Sequence, residues 1–261
     1  MSLQDSKRVK TDDDAPYELI YWPQIPGRGE CIRLVFEEAG VSYSDVAKNP
    51  DKAIPIVMGH ISADNIGDAY NPPPLAPPIL KHGDLLINQL PNILLYVAPR
   101  LGLAPKEGSG VYHLNEIVLT ILDGLSNEVH DTHHPIAVSQ YYEDQKEEAK
   151  KRAKNYTSER LPKFLAYMQR VLDAKTSGEG PWLYGDSLTY ADLVLFQCLD
   201  GTKYAFPKSV EKLEQSGKYD GVFKLYQAVK ERPNISKYLE SERRAPYSEG
   251  VWRRYPELEE D

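Results

Sequence analysis

Two periods of hydrophobic spacing divide this chain. Tyr17-Glu18-Leu19-Ile20 alternates at the strand period of two. The next run, Cys31 to Ala39, spaces its apolar side chains for a helix and stops at Gly40. Val41 to Val46 alternates again, so a right-handed βαβ crossover lays it beside the first strand. Asn49 to Pro77 carries Pro55, Pro72, Pro73, Pro74 and Pro77 and predicts a loop-rich connection with room for one short helix. Pro78-Ile79-Leu80 and His82 to Ile87 then form a hairpin with Gly83 near its turn, and a helix runs from Pro91 to Ala98. Beyond Pro105 to Gly110, a break rich in Lys, Glu, Gly and Ser, the periodicity is helical: His113 to His130, Tyr141 to Asp173, Tyr190 to Phe206 and Gly221 to Arg232.

The predicted class is α/β plus all-α, with a four-stranded mixed sheet in the first part and a helical bundle in the second. This gives a polar arm over 1–15, a sheet domain over 16–104, a helical domain over 111–247 and a tail over 248–261. The arm offers too little apolar surface to offset the entropy of ordering it, and is expected to be flexible. The tail is charged but carries Trp252 and Tyr255, so it either folds back as a lid over an apolar opening or stays loose.

At 261 residues and 41% hydrophobic content the chain can bury a substantial core. Its formal net charge of -8 disfavours nucleic-acid phosphate and anionic membrane as partners. No stretch of about 18 apolar residues is present to span a bilayer, and the N-terminus lacks a signal-peptide core, so a cytoplasmic protein is expected. Cys31 and Cys198 each sit inside an apolar helical pattern and read as reduced, buried thiols.

The candidate chemistry lies between the first strand and the first helix. Tyr21-Trp22-Pro23-Gln24-Ile25-Pro26-Gly27-Arg28-Gly29-Glu30 sets a phenol at a strand end and an arginine at a helix mouth. The first N–H groups and the dipole of that helix favour an anion in the turn, and the phenol can donate to a thiolate there. Thr189-Tyr190-Ala191-Asp192 is a capping box, read as a folding signal. His130, His133 and His134 share a helix face, which suits a metal, a cleft lining or an ordinary polar helix end. Their spacing matches no known metalloenzyme pattern, and no metal is expected.

Taken together, the Tyr21 to Glu30 stretch, the Pro77-Pro78-Ile79-Leu80 strand entry, Gln89 before a helix and the Thr189 to Asp192 box resemble the cytosolic glutathione S-transferases over about Tyr17 to Leu239. The tyrosine places the chain nearest the sigma, pi, mu and alpha classes. The resemblance implies a thioredoxin-like domain that binds glutathione as co-substrate, a helical domain that supplies the second-substrate pocket, and a homodimer. It assigns Tyr21 and Arg28 to catalysis and Pro77, Pro78, Gln89 and Leu90 to glutathione binding, with Pro78 at the position of the family's cis proline. Trp22, His130, His134 and Trp252 are the candidates for the second-substrate pocket. Two departures stand out: Leu90 replaces the family's serine hydroxyl, and the loop after Tyr21 is one residue longer than in many relatives. The implied activity is conjugation of glutathione to apolar small-molecule electrophiles. Glutathione-dependent isomerisation or peroxide reduction on the same site, and a binding protein with little catalysis, are the alternatives.

Overall fold

A computed structural model describes residues 14–260 of the chain. The arm expected over 1–15 therefore lies outside the described residues, apart from Asp14 and Ala15. Four short strands, β1 (Tyr17–Ile20), β2 (Tyr43–Asp45), β3 (Ile79–His82) and β4 (Leu85–Asn88), form one sheet in the order β2-β1-β3-β4. β2 runs parallel to β1, whereas β3 and β4 are antiparallel neighbours, which makes the sheet mixed as expected. The parallel pair is joined through α1 (Gly29–Ala39), which ends at Gly40 in the left-handed region (φ 66°), where a Cβ would be strained.

The proline-rich connection is more ordered than its composition suggests. Residues Pro50–His60 form an eleven-residue helix, α2, with Pro50 in its first turn and Asn49 accepting from the Lys52 N–H. Pro55 lies at its midpoint, where the missing N–H leaves the Asp51 carbonyl without its usual intrahelical donor. α3 (Leu90–Val97) follows the hairpin and completes the sheet domain.

The helical part begins earlier than predicted, with α4 at Ser109–Leu122. A widened π turn at Asp123–Asn127 separates it from α5 (Glu128–His133), so the single helix expected over His113 to His130 is two. The long helix expected over Tyr141 to Asp173 is likewise broken. A 3₁₀ turn at Tyr142–Gln145, then α6 (Lys146–Asn155), a π turn at Tyr156–Arg160 and α7 (Leu161–Leu172) occupy it. A π turn widens a single turn and leaves helix on both sides of it, so helical periodicity alone does not locate it. α8 (Tyr190–Ala205) is buried along nearly its whole length, and α9 (Pro207–Gln215), α10 (Asp220–Lys230) and α11 (Pro233–Leu239) close the bundle.

The capping box forms at the start of α8. The Asp192 carboxylate, fully buried, accepts from the Thr189 N–H at 2.7 Å, the Thr189 hydroxyl at 2.8 Å and the Leu183 N–H at 2.7 Å. Burial outweighs these donors and raises the Asp192 carboxyl to about 6.

α1 joins the two parts. It packs against α8 and α11, and its acidic side chains reach across: Glu30 accepts from the Tyr238 hydroxyl at 3.0 Å and from Arg244 at 3.3 Å, and Glu38 pairs with Arg232. Arg244 continues to Asp200 on α8 at 2.7 Å. Such buried charges are tolerable because each is multiply bonded.

Candidate active site

Tyr21 leaves the end of β1 and is almost wholly buried. Its ring lies under the turn that opens α1, where a Cβ on Gly27 would come within 2.2 Å of the phenol oxygen and one on Gly29 within 2.7 Å of the ring. Gly27 also has φ 45°, so glycine there meets both a conformational and a steric demand. The turn is tied from below by Arg33, which donates to the Pro26 carbonyl and is itself paired with Glu30 and Asp45.

The consequence is one short contact: the Arg28 backbone N–H donates to the Tyr21 hydroxyl oxygen at 2.9 Å. A phenol that already accepts a hydrogen bond is polarised to donate its own proton outward. Burial raises the Tyr21 phenol above its ordinary value of 10.0, and it outweighs the Arg28 N–H and the charges of Arg28 and Arg33, which pull the other way. Tyr21 therefore stays protonated at neutral pH and remains a donor.

Arg28 also lines a cleft of about 370 Å³ between the sheet domain and α4, together with Pro77, Pro78, Gln89, Leu90 and Asn127. Its guanidinium donates to the Asn127 side-chain oxygen at 2.8 Å, which bridges the two parts across the cleft. The Pro77-Pro78 bond is cis and Gln89 takes a positive φ of 68°. Gln89 supplies no side-chain cap to α3, and Leu90 at its first position is buried. Where a serine hydroxyl would face a ligand, the wall here is hydrocarbon, leaving backbone N–H groups at the helix start as the polar element.

Thus Arg28, Pro77, Pro78, Gln89 and Leu90 share one cleft, and the Tyr21 hydroxyl is in hydrogen-bond contact with one of them. Neither Trp22 nor Trp252 lines it. Trp22 packs against the Ile20, Val57 and Ile79 core. Trp252, expected in the second-substrate pocket, is buried in the helical part: it donates from Nε1 to the Leu125 carbonyl at 3.0 Å and lies where a Cβ on Gly201 would come within 2.3 Å of its ring. Asn127 and Asp123, which border the cleft, were missed from the sequence because their placement depends on the π turn.

The histidines gather beside the tail. Rings of His130, His133 and His134 lie 4.9 to 5.1 Å apart, and His133 Nε2 contacts the Val251 carbonyl at 3.1 Å. That contact puts the proton on Nε2. Among the described residues, no group of three or more His, Cys, Asp or Glu side chains is placed to hold a metal. Burial depresses His130 to about 4, helped by His134 and Arg28, and His133 to about 3.

These shifts fix a pH dependence. Both pKa values fall below the ordinary 6.5, so protons bind the unfolded chain first and stability is lost as pH falls from about 6.5 towards 4. Asp192, raised to about 6, acts in the opposite sense between its ordinary 3.8 and 6. Replacing His133 with Gln should therefore flatten the acid side of the curve by up to about 1.4 kcal/mol per pH unit. Urea unfolding of both proteins at pH 7 and pH 5 checks this, and an unchanged slope in the variant would refute it.

The sheet order, the cis proline and the appended helices define a thioredoxin-like domain joined to a helical one. A family model described as "Glutathione S-transferase, C-terminal domain" matches residues 130–242. A glutathione S-transferase of Plasmodium falciparum is 24% identical over 238 residues, covering 88% of this chain and 98% of its own, and glutathione S-transferase Mu 2 of Mus musculus is 26% identical over 226, covering 85% and 94%. In structure, the Nu-class enzyme of Haemonchus contortus has a TM-score of 0.62 at 23% identity, covering 90% of this chain and 98% of its own. The Pi-class enzyme of Onchocerca volvulus has a TM-score of 0.61 at 22% identity, covering 86% and 92%. The chain thus carries a match to the C-terminal domain of glutathione S-transferases over residues 130–242, and over most of its length it is similar to glutathione S-transferases in sequence and fold.

Proposed function

We propose that this chain is a glutathione transferase in which Tyr21 holds the glutathione sulfur as its thiolate for attack on an apolar electrophile. The observation that carries this is the Arg28 N–H bond to the Tyr21 hydroxyl at 2.9 Å, beside a cleft bordered by Arg28, Gln89 and a cis proline. Free thiols ionise near 8.5, so only a few per cent is thiolate at neutral pH. A neutral phenol donating to sulfur, with a helix N-terminus and the Arg28 guanidinium nearby, raises that fraction. The cis Pro78 leaves a backbone edge free to pair with the peptide, and the α3 start takes its γ-glutamyl carboxylate through N–H groups. The thiolate then forms a carbon–sulfur bond while the leaving group departs with its electron pair. In this reading Gln89 and Leu90 flank the γ-glutamyl end, with affinity lowered by the missing hydroxyl. His130 and His134 border the second-substrate side, and the tail beyond Arg244 closes it, with Gly250 against Ile25 of the active-site loop.

The test combines calorimetric titration of glutathione with an assay of conjugation to an aryl halide. Saturable binding with turnover is expected. Binding without turnover towards aryl halides, enones or peroxides would favour a binding protein, and no binding would overturn the reading.

Similarity to glutathione S-transferases also supports a cytoplasmic, detoxifying homodimer. No described helix is long and apolar enough to cross a membrane. Ile66, Leu75 and Tyr112 are 88%, 85% and 75% exposed, apolar side chains that stand to gain from burial against a second copy. Sedimentation velocity should give a dimer; a monomer at micromolar concentration would remove this part of the proposal.

A further inference from the structure

The formal net charge of -8 conceals a local excess of the opposite sign. A groove of about 860 Å³ lies between α6, with the π turn that follows it, and α9. It has more than twice the volume of the cleft beside Arg28 and shares no lining residue with it. α6 presents Lys150, Lys151 and Lys154 to the groove, and the π turn adds Thr157 and Ser158. From the other wall come Ser209, Lys212, Leu213 and, just past the end of α9, Ser216, at the i, i+3, i+4, i+7 spacing of one helix face. Lys218 completes that wall. Positions at this spacing ordinarily bury apolar side chains, whereas here cations and hydroxyls line an open volume.

The tail borders the groove without neutralising it. Its last turn, Pro256–Glu259, buries Leu258, while Glu257 pairs with Lys146 at 2.7 Å and Glu259 accepts from the Ser209 N–H at 2.8 Å. Two of the three tail carboxylates at the rim are thus satisfied by partners other than the groove lysines. Lys150 pairs with Glu147 at 3.3 Å, but among the described residues Lys151, Lys154, Lys212 and Lys218 pair with no carboxylate. The hydroxyls of Thr157, Ser158 and Ser216 donate back to carbonyls of their own helical segments. Four ammonium groups therefore border one volume against the single remaining carboxylate of Glu260. Like charges gathered in this way repel, and an anion seated among them removes the repulsion.

We propose that this groove is a second ligand site, one that takes a small oligophosphate. Ammonium groups are compact point charges with rotatable donors, so they select charge density rather than the planar fork of a carboxylate. A phosphoryl group brings about 1.5 to 2 negative charges and three acceptor oxygens, where a carboxylate brings one charge. Linked phosphates can meet both walls at once, with lysines of α6 on one side and Lys212 and Lys218 on the other. The site is independent of the glutathione chemistry.

The experiment titrates sodium tripolyphosphate into the full-length protein by calorimetry in magnesium-free buffer. Saturable binding with a Kd below about 0.1 mM is expected at low salt. It should weaken roughly tenfold as salt rises from about 20 to 200 mM, because exposed charges are screened. Lys154→Gln combined with Lys212→Gln removes one charge from each wall. Both positions are exposed, so the double variant should melt with the parent protein while its affinity falls by roughly tenfold or more. Saturating glutathione should leave the titration unchanged. Adenosine triphosphate is the second probe: binding at least as tight as that of tripolyphosphate fits a nucleotide, and weaker binding fits an inorganic chain. No saturable binding of either probe would overturn the proposal, as would undiminished binding in the double variant or displacement by glutathione.

Discussion

Replacing Tyr21 with Phe should lower kcat/KM for conjugation by roughly 10²-fold or more, the loss typical of removing one preorganised donor from a site that stabilises developing or resident negative charge. The ring is retained, so the packing under Gly27 and Gly29 survives. What disappears is the proton donated to sulfur, together with the acceptor of the Arg28 N–H. The second loss costs stability of about 1 kcal/mol, too little to unfold a domain of this size. Two readouts separate the effects. The pH profile of kcat/KM should keep its shape while its acid limb moves up towards the free-thiol value near 8.5, and the urea midpoint should change little. A variant that keeps full activity would show that sulfur is ionised by Arg28 and the helix start alone.

Replacing Asp192 with Ala should be the most destabilising single change considered, at about 3–5 kcal/mol. Three donors, the N–H groups of Leu183 and Thr189 and the Thr189 hydroxyl, lose one shared acceptor in a fully buried setting. The substitution also releases the start of α8, against which α1, α4 and α10 pack. Asp192→Asn should fall between the two, because its NH₂ faces groups that are themselves donors. Chemical unfolding at pH 7 provides the measurement, and a loss below about 1 kcal/mol for the alanine variant would contradict this account of the box.

How much of this was legible in the sequence depended on whether the signal was local. The mixed sheet, α1 with its Gly40 stop and the Thr189 to Asp192 box are set by neighbouring residues, and the structure agrees with them. The π turns at Asp123–Asn127 and Tyr156–Arg160 are set by tertiary packing: Gly124 lies so close to Phe164 that a Cβ would come within 2.3 Å of its ring. No local pattern encodes that approach. Asn127, and with it the bridge to Arg28, stayed hidden for the same reason.

Trp252 illustrates a different gap. Its position in a charged tail left a docked lid and a loose end both open; its indole sits beside Gly201 and donates to Leu125, contacts that depend on a glycine fifty-one residues earlier. The tail continues past it: Tyr255 stacks on Tyr142 at 3.7 Å, Glu257 pairs with Lys146 at 2.7 Å, and Glu259 accepts from the Ser209 N–H at 2.8 Å at the start of α9. Trp252 in a polar segment signals a contact with the fold but not where that contact lies.

The central claim is that Tyr21 ionises the sulfur of bound glutathione, and ultraviolet difference spectroscopy of the thiolate against pH tests it most directly. The predicted result is a bound thiol titrating at least about one unit below the free value near 8.5, moving back towards it in Tyr21→Phe. A bound thiol that titrates at the free value, or one whose pKa is the same in both proteins, would contradict it.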